Sequence, residues 1–388
     1  MNCRSHGTTR SAALAAALLF IQIAVPGASQ AIEAPKQAPP PAPPPEAPAV
    51  TIVPTDETQF QQVLQRVTSF RNLKGLNVSE QIIDQLSRGE ADQAVAALSP
   101  LAAQGNRQAD IALVRIQHWC NSVSSGRNAD WKSQLPQVGK QFPPERAPRV
   151  AGVLKADAEF KARARGNCAK ARFDFGAIES RLRTAADAGD PASATELAPF
   201  LRDAAKREAL LQDAISKNYA PAMYAAASNL LIAVQRGETT ENVSKIRELL
   251  KSAGRSIPKA KVDLANCMSL GCDGHPADSR TAQVFGLDAA RDGEPTAFLS
   301  MVRMPWGRQI PRAQLLAWQY FGNRLNEAGC MGDQYIVTAL GFSQSIPALI
   351  KTATPQMQDA AIEQADALWK EHGARAKREN GCPATAGD

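Results

Sequence analysis

The chain has 388 residues, 44% of them hydrophobic but only 5% aromatic, so its apolar share is mostly Ala and Leu. That content excludes disorder throughout, and the length fits two ordinary domains or one elongated array. Ala and Leu favour close helix packing over sandwich or barrel construction. The formal charge of +6 falls to +4 without residues 1–31, which hold Arg4 and Arg10 and no acid. Such an excess is no nucleic-acid signature, and no nucleic-acid partner is expected.

In chain order, Arg4 and Arg10 precede an apolar stretch, Ser11 to Val25, then Pro26-Gly27 and the small-x-small site Ser29-Gln30-Ala31. This reads as a signal peptide over residues 1–31, because the apolar run is shorter than the roughly 20 residues of a spanning helix. No Cys follows it in lipobox fashion and no second hydrophobic span appears, so the expected location is periplasmic or secreted. Residues 32–55 form a proline-rich linker with Pro39-Pro40-Pro41 and Pro43-Pro44-Pro45, favouring a semi-rigid polyproline II spacer.

From residue 56 the pattern is helical. Phe60, Val63, Leu64, Val67 and Phe70 make one apolar stripe on a helix opened by Thr55-Asp56-Glu57, the first of the N-terminal helical repeats over 56–121. Residues 122–174, with Gly126, Pro136, Gly139 and Pro143-Pro144, read as an irregular insertion with a basic helix. Residues 175–388 read as a helical repeat array closed by a C-terminal capping helix from Met357 to Arg378, with Ala361, Ile362, Ala365 and Leu368 on one stripe.

Six cysteines follow the leader: Cys120, Cys168, Cys267, Cys272, Cys330 and Cys382. An even count in an exported chain argues for disulfides. Sequential pairing, Cys120 with Cys168, Cys267 with Cys272 and Cys330 with Cys382, is expected because helical arrays contact mainly sequence neighbours. On one continuous helix Cys267 and Cys272 would point apart, but Gly271 can end the helix and let Cys272 fold back. The rival reading is a metal site of Cys267, Cys272 and His275 with Asp273 or Asp278, although zinc motifs usually use tighter paired spacings.

A recurring unit organises the chain: a helix ending in Ala-Ala or a near equivalent, a short turn with Gly or Pro, then Ala three or four residues on, opening the next helix. It recurs at Ala102-Ala103-Gln104-Gly105 with Ala109, Ala185-Ala186-Asp187-Ala188-Gly189 with Ala192, and Lys217-Asn218-Tyr219 with Ala222. Further copies are Ala253-Gly254 with Ala260 and Ala289-Ala290-Arg291-Asp292-Gly293 with Ala297. The last four Ala markers lie 30, 38 and 37 residues apart, the period of helix-hairpin solenoids. The expected fold is all-α, an α/α solenoid of helix hairpins.

These units resemble the SEL-one-like subclass of tetratricopeptide-related repeats over much of 90–330, with a gap at 122–174. The units are Ala91 to Leu113, Arg236-Gly237 through Leu249-Leu250-Lys251 to Ala260, and Asp278 through Ala282 and Gly293 to Ala297; Pro311, Ala313, Trp318, Ala328 and Gly329 resemble the second helix of another. The family's Gly-x-Gly inter-repeat loop is absent and the periods vary, so the repeats are degenerate. The resemblance implies a tetratricopeptide-like superhelix that serves as a scaffold for a protein or peptide partner in the bacterial envelope, with no activity or cofactor of its own; no small-molecule site is expected.

Motifs for chemistry are sparse. Ser256-Ile257-Pro258-Lys259 matches Ser-x-x-Lys, but Lys351-Thr352 is followed by Ala353, not Gly, and a Ser opening a helix with Pro behind it explains the match. Glu179-Ser180 resembles the acid of lytic transglycosylases without their surrounding segment, and it motivates the alternative function, cell-wall glycan binding or cleavage. His118, His275 and His372 have no companion nucleophile pattern. A basic stretch from Arg146 to Arg172 contains only Asp157 and Glu159 as acids. Its ordinary role is a solvated helix face, while Lys161, Arg163, Arg165, Lys170 and Arg172 are the candidates for contact with an anionic partner.

Overall fold

The computed structural model describes residues 57–125, 131–237, 243–272 and 274–383; the leader and the proline-rich linker lie outside them. Among the described residues every regular element is helical. The first are α1 (Glu57–Leu73), α2 (Glu80–Ser87), α3 (Ala91–Ala103), α4 (Arg107–Ser125), α5 (Trp131–Gln141) and α6 (Ala147–Lys170). They are followed by α7 (Phe175–Asp187), α8 (Pro191–Leu197), α9 (Ala204–Ser216), α10 (Ala220–Gln235), α11 (Lys245–Ala253) and α12 (Pro258–Leu270). The last are α13 (Ser279–Arg291), α14 (Pro295–Arg303), α15 (Arg312–Glu327), α16 (Tyr335–Ile350) and α17 (Pro355–Glu379).

One turn does most of the folding. After α7, Gly189 adopts φ 89° and its N–H bonds the Ala186 carbonyl while the next N–H, of Asp190, reaches back to the Ala185 carbonyl. Asp190 then caps α8 by accepting from the Ser193 N–H at 2.8 Å, and Pro191 supplies the first helical residue. Two residues thus stop one helix and start its antiparallel partner. The same reversal follows α3, α13 and α15, and after α9 Asn218 takes the left-handed conformation at φ 57°. The Ala markers behind these turns allow close backbone approach: Ala109, Ala222, Ala260 and Ala297 are buried, and Ala192 is half-buried against the same core.

Successive second helices touch one another, α4 with α8, α8 with α10, α12 with α14 and α14 with α16, and so form an inner row. Its burial agrees: none of the residues of α8 is exposed, and in α12 only Leu270 is. Two apolar clusters run along the array, one from Leu73 to Ala222 and one from Met223 to Ala376.

One expectation needs correction. The basic helix expected within 122–174 is α6, but the other described residues there are not irregular: α4 continues to Ser125, and α5 pairs with α6 in a helical hairpin with Pro136 inside α5. Among the described residues Pro136, Gly139 and Gly166 lie on exposed helix faces and Pro143-Pro144 in the turn between the helices, and the apolar positions are few because only one side of the hairpin is buried, by Val138, Phe142, Val150, Val153 and Phe160.

Contacts run mainly between neighbouring helices, but one set spans almost the whole described chain. The stripe of α1 lies on turn glycines from the far end of the chain: Val63 over Gly329, Val67 and Thr68 over Gly332, and Phe70 over Gly381. A further cluster joins Phe60 and Leu64 of α1 to Val138 and Val150 of the hairpin and to Tyr335 and Ala339 of α16. Burying Phe60, Leu64 and Val67 contributes about 2 kcal/mol each, enough to close the chain end to end. The capping helix α17 packs along α15, with Ala361 and Ala365 against Leu316 and Ala317. Its C-terminal end is in turn covered by α1.

Candidate functional site

The cysteines stand in the sequential pairs. Cys120 and Cys168 tie α4 to α6 at a Cα–Cα distance of 5.5 Å, Cys267 and Cys272 close the end of α12 at 5.0 Å, and Cys330 and Cys382 join the reversals after α15 and α17 at 5.3 Å. Gly271 has φ 71°, and the Cys272 N–H reaches the Cys267 carbonyl at 3.1 Å, so the left-handed cap folds Cys272 back. The rival metal set is not assembled among the described residues: Cys267 and Cys272 are bonded to each other, and Asp278 accepts from the Thr281 N–H at 2.9 Å to cap α13. Asp273 lies outside the described residues.

Polar side chains cross the inner row. Arg115 on α4 donates to Glu196 on α8 at 2.8 Å and to the Lys74 carbonyl at 3.0 Å. Tyr224 on α10 donates to Asp263 on α12 at 2.9 Å, and Asn266 on α12 meets Ser300 on α14 at 3.2 Å and accepts from the Trp306 indole at 3.0 Å. Burial and the Asp263 carboxylate push the Tyr224 phenol well above its ordinary range, so it stays a neutral donor.

A charge network lies where α1 meets the turns after α15 and α17. The Arg71 guanidinium donates to the Met331 carbonyl at 2.8 Å, the Cys330 carbonyl at 3.1 Å and the Asn380 side chain at 3.2 Å. Burial lowers its pKa, and the nearby Glu294 and Asp333 partly restore it. Asn380 also donates to the carbonyls of Asp292 and Gly293, at 3.2 and 3.3 Å. Asp292 is buried and paired with Lys261 at 2.8 Å and with Arg375. Burial works against the Lys261 ammonium, but hydrogen bonds to Asp288 and Asp292 outweigh it and raise the pKa. Lys74 bonds Glu379 at 2.8 Å and holds that carboxyl below its usual range. No pattern in the sequence marks Arg71 or Asn380, since each reads as a polar residue at a solvated helix end.

The basic stretch divides by direction. Arg149 donates to Glu327 of α15 at 3.0 Å and lies over the Phe60 ring, and Arg146 donates to Asn323 at 3.0 Å. Around them a cleft of about 340 Å³ is lined by Glu145, Arg146, Pro148, Arg149, Glu327 and Tyr335. Arg165 donates to the Val123 carbonyl at 3.2 Å and Arg163 to the Arg88 carbonyl at 2.8 Å, clamping α6 onto its neighbours. Lys161 pairs with Asp157 at 2.6 Å, and Lys170 donates to Asn167 at 3.4 Å. Arg163, Lys170 and Arg172 remain exposed.

The weighed catalytic residues are spread apart. Glu179 is exposed on α7 and paired with Arg183 at 2.7 Å. Ser256 is exposed in the turn before α12, while Lys259 is engaged with Asp263. His118 packs against the Phe200 ring at 5.4 Å.

No family model matches the chain, and no curated protein matches it. Among solved structures it is similar to a protective antigen of uropathogenic Escherichia coli displaying an SLR fold, at 12% identity over 85% of this chain and 89% of that one with a TM-score of 0.33. It is also similar to a Sel1 repeat protein from Oxalobacter formigenes, at 18% identity over 80% of this chain and 93% of that one with a TM-score of 0.35. The helix-hairpin architecture stands on the packing within the chain itself.

Proposed function

We propose that the chain is an exported helical-repeat scaffold that binds a protein partner in the cell envelope and performs no catalysis. The observation that carries this reading is the pairing of all six cysteines behind the leader across an array of helix hairpins. Three bridges suit an oxidising compartment, and an end-to-end closed array gives the rigid surface that recognition needs. The buried polar groups support it too, because they join one helix to the next. Glycan cleavage draws no support from Glu179, which is exposed on an open helix face and paired with Arg183. Crosslinking in the periplasm of an expressing cell, followed by mass spectrometry, tests the proposal. A reproducible protein partner is the expected result, and recovery of none overturns it.

A further inference from the structure

Residues 131–172, the α5–α6 hairpin and the two residues after it, carry ten Lys and Arg against three Asp and Glu, a net charge of +7 where the whole chain has +6. The basic character of the protein is therefore concentrated on one hairpin. Its buried side, with Val150, Val153, Phe160 and Ala164, faces the array, while the exposed side of α6 presents Lys155, Glu159, Arg163 and Lys170. At 100° per residue these four fall within an arc of about 80°, and the three cations stand about 12 and about 10 Å apart along the axis. On this face the exposed residues between them are Ala162, Gly166 and Ala169, and the exposed Lys161 falls about 120° round the helix from Lys155, so nothing bulky shields the charges. Arg163 is held in place by its Nε–H bond to the Arg88 carbonyl at 2.8 Å, with its terminal nitrogens left over for a carboxylate.

We infer that this face of α6 is the docking surface for an acidic helical segment of the partner protein, an inference that rests on the scaffold reading above. The order of charges selects this occupant. Cation, acid, cation, cation is matched by a polypeptide that alternates its own charges in register, because like charges brought together penalise every other register. A uniformly anionic polymer would meet Glu159 with repulsion. A bilayer would find no aromatic or large aliphatic side chain on this face to insert. A helix fits because its rise equals that of α6, so acids spaced eight and seven residues apart face Lys155, Arg163 and Lys170 along the whole contact.

The test uses the full chain and a synthetic helical peptide with acids at those spacings and a Lys opposite Glu159, compared with a peptide of the same composition in scrambled order, polyglutamate, and vesicles rich in phosphatidylglycerol. The matched peptide should bind more tightly than the scrambled one. The double variant K155E/K170E, which leaves the Arg163 clamp in place, should weaken it at least about tenfold, and a charge-swapped peptide should restore binding to that variant. Equal binding of the scrambled peptide, of polyglutamate or of the vesicles overturns the inference, as does an unaltered affinity in K155E/K170E with the fold confirmed by thermal unfolding. If crosslinking recovers the same partner from wild type and K155E/K170E, this face is refuted while the scaffold reading stands; if it recovers none from wild type, the scaffold reading itself falls.

Discussion

Arg71→Ala tests whether α1 is joined to the turns after α15 and α17. The side chain is about a fifth exposed, at 21%, and its donors reach the Met331 and Cys330 carbonyls and Asn380. The Met331 carbonyl keeps the Gln334 N–H, but leaving the Cys330 carbonyl and the Asn380 amide oxygen without partners costs about 1–3 kcal/mol each when no water replaces the donor. Part of that is offset, because the substitution also removes a guanidinium whose pKa is lowered by burial. A net loss of about 3 kcal/mol follows, or roughly 4 °C in melting temperature for a chain of this size. Arg71→Lys keeps the charge but serves one carbonyl at a time, and should lose about half as much. Hydrogen exchange gives the decisive readout: protection should fall in α1 and, together with it, in residues 329–334 and 380–382, while α10 keeps its own. A change confined to α1, or a loss below about 1 kcal/mol, would refute the reasoning.

Other outcomes follow from individual contacts. Asp110 is buried and holds Arg181 through contacts of 2.7 and 2.9 Å, so Asp110→Ala should cost about 3 kcal/mol in urea denaturation, and a value near zero would show that water serves Arg181 as well. Gly286→Ala should cost about 1–3 kcal/mol and shift tryptophan fluorescence, because a Cβ there would overlap the fully buried Trp306 ring. Gly271→Ala would force a left-handed backbone on a residue with a Cβ 2.8 Å from the His275 carbonyl, so peptide mapping after refolding should show slower closure of Cys267 with Cys272. Glu379 has a folded pKa depressed by Lys74, so its contribution is fully present above the ordinary value of 4.5 and is lost as pH falls below it. Acid unfolding should therefore begin in the joint of α1 with α17, and Lys74→Met should remove that part of the pH dependence.

Local chemistry made the hairpins legible before any coordinates. Ala-Ala, then a turn with Gly or Pro, then Ala states in one line how a helix stops, turns and restarts, and Gly271 foretold why two cysteines five residues apart can meet. Neighbour pairing of cysteines followed from the same local logic. The 122–174 segment was misread for the opposite reason: a hairpin buried on one side shows few apolar positions, and its glycines and prolines look like a break. The basic stretch was visible as composition, but only packing separated Arg146, Arg149 and Arg165, turned to Glu327, Asn323 and a backbone carbonyl, from the exposed row of Lys155, Arg163 and Lys170.

The sequence by itself determined the class of the fold, the hairpin turns and the stripe Phe60, Val63, Leu64, Val67 and Phe70, because each depends on residues within a turn or two of one another. Tertiary structure alone decided what that stripe covers. Its partners, Gly329, Gly332 and Gly381, lie some 260 to 310 residues away, and an apolar stripe specifies that it must be buried, not against what. The same holds for Arg71, whose role is set by two carbonyls that every residue possesses and that only the path of the chain brings within reach.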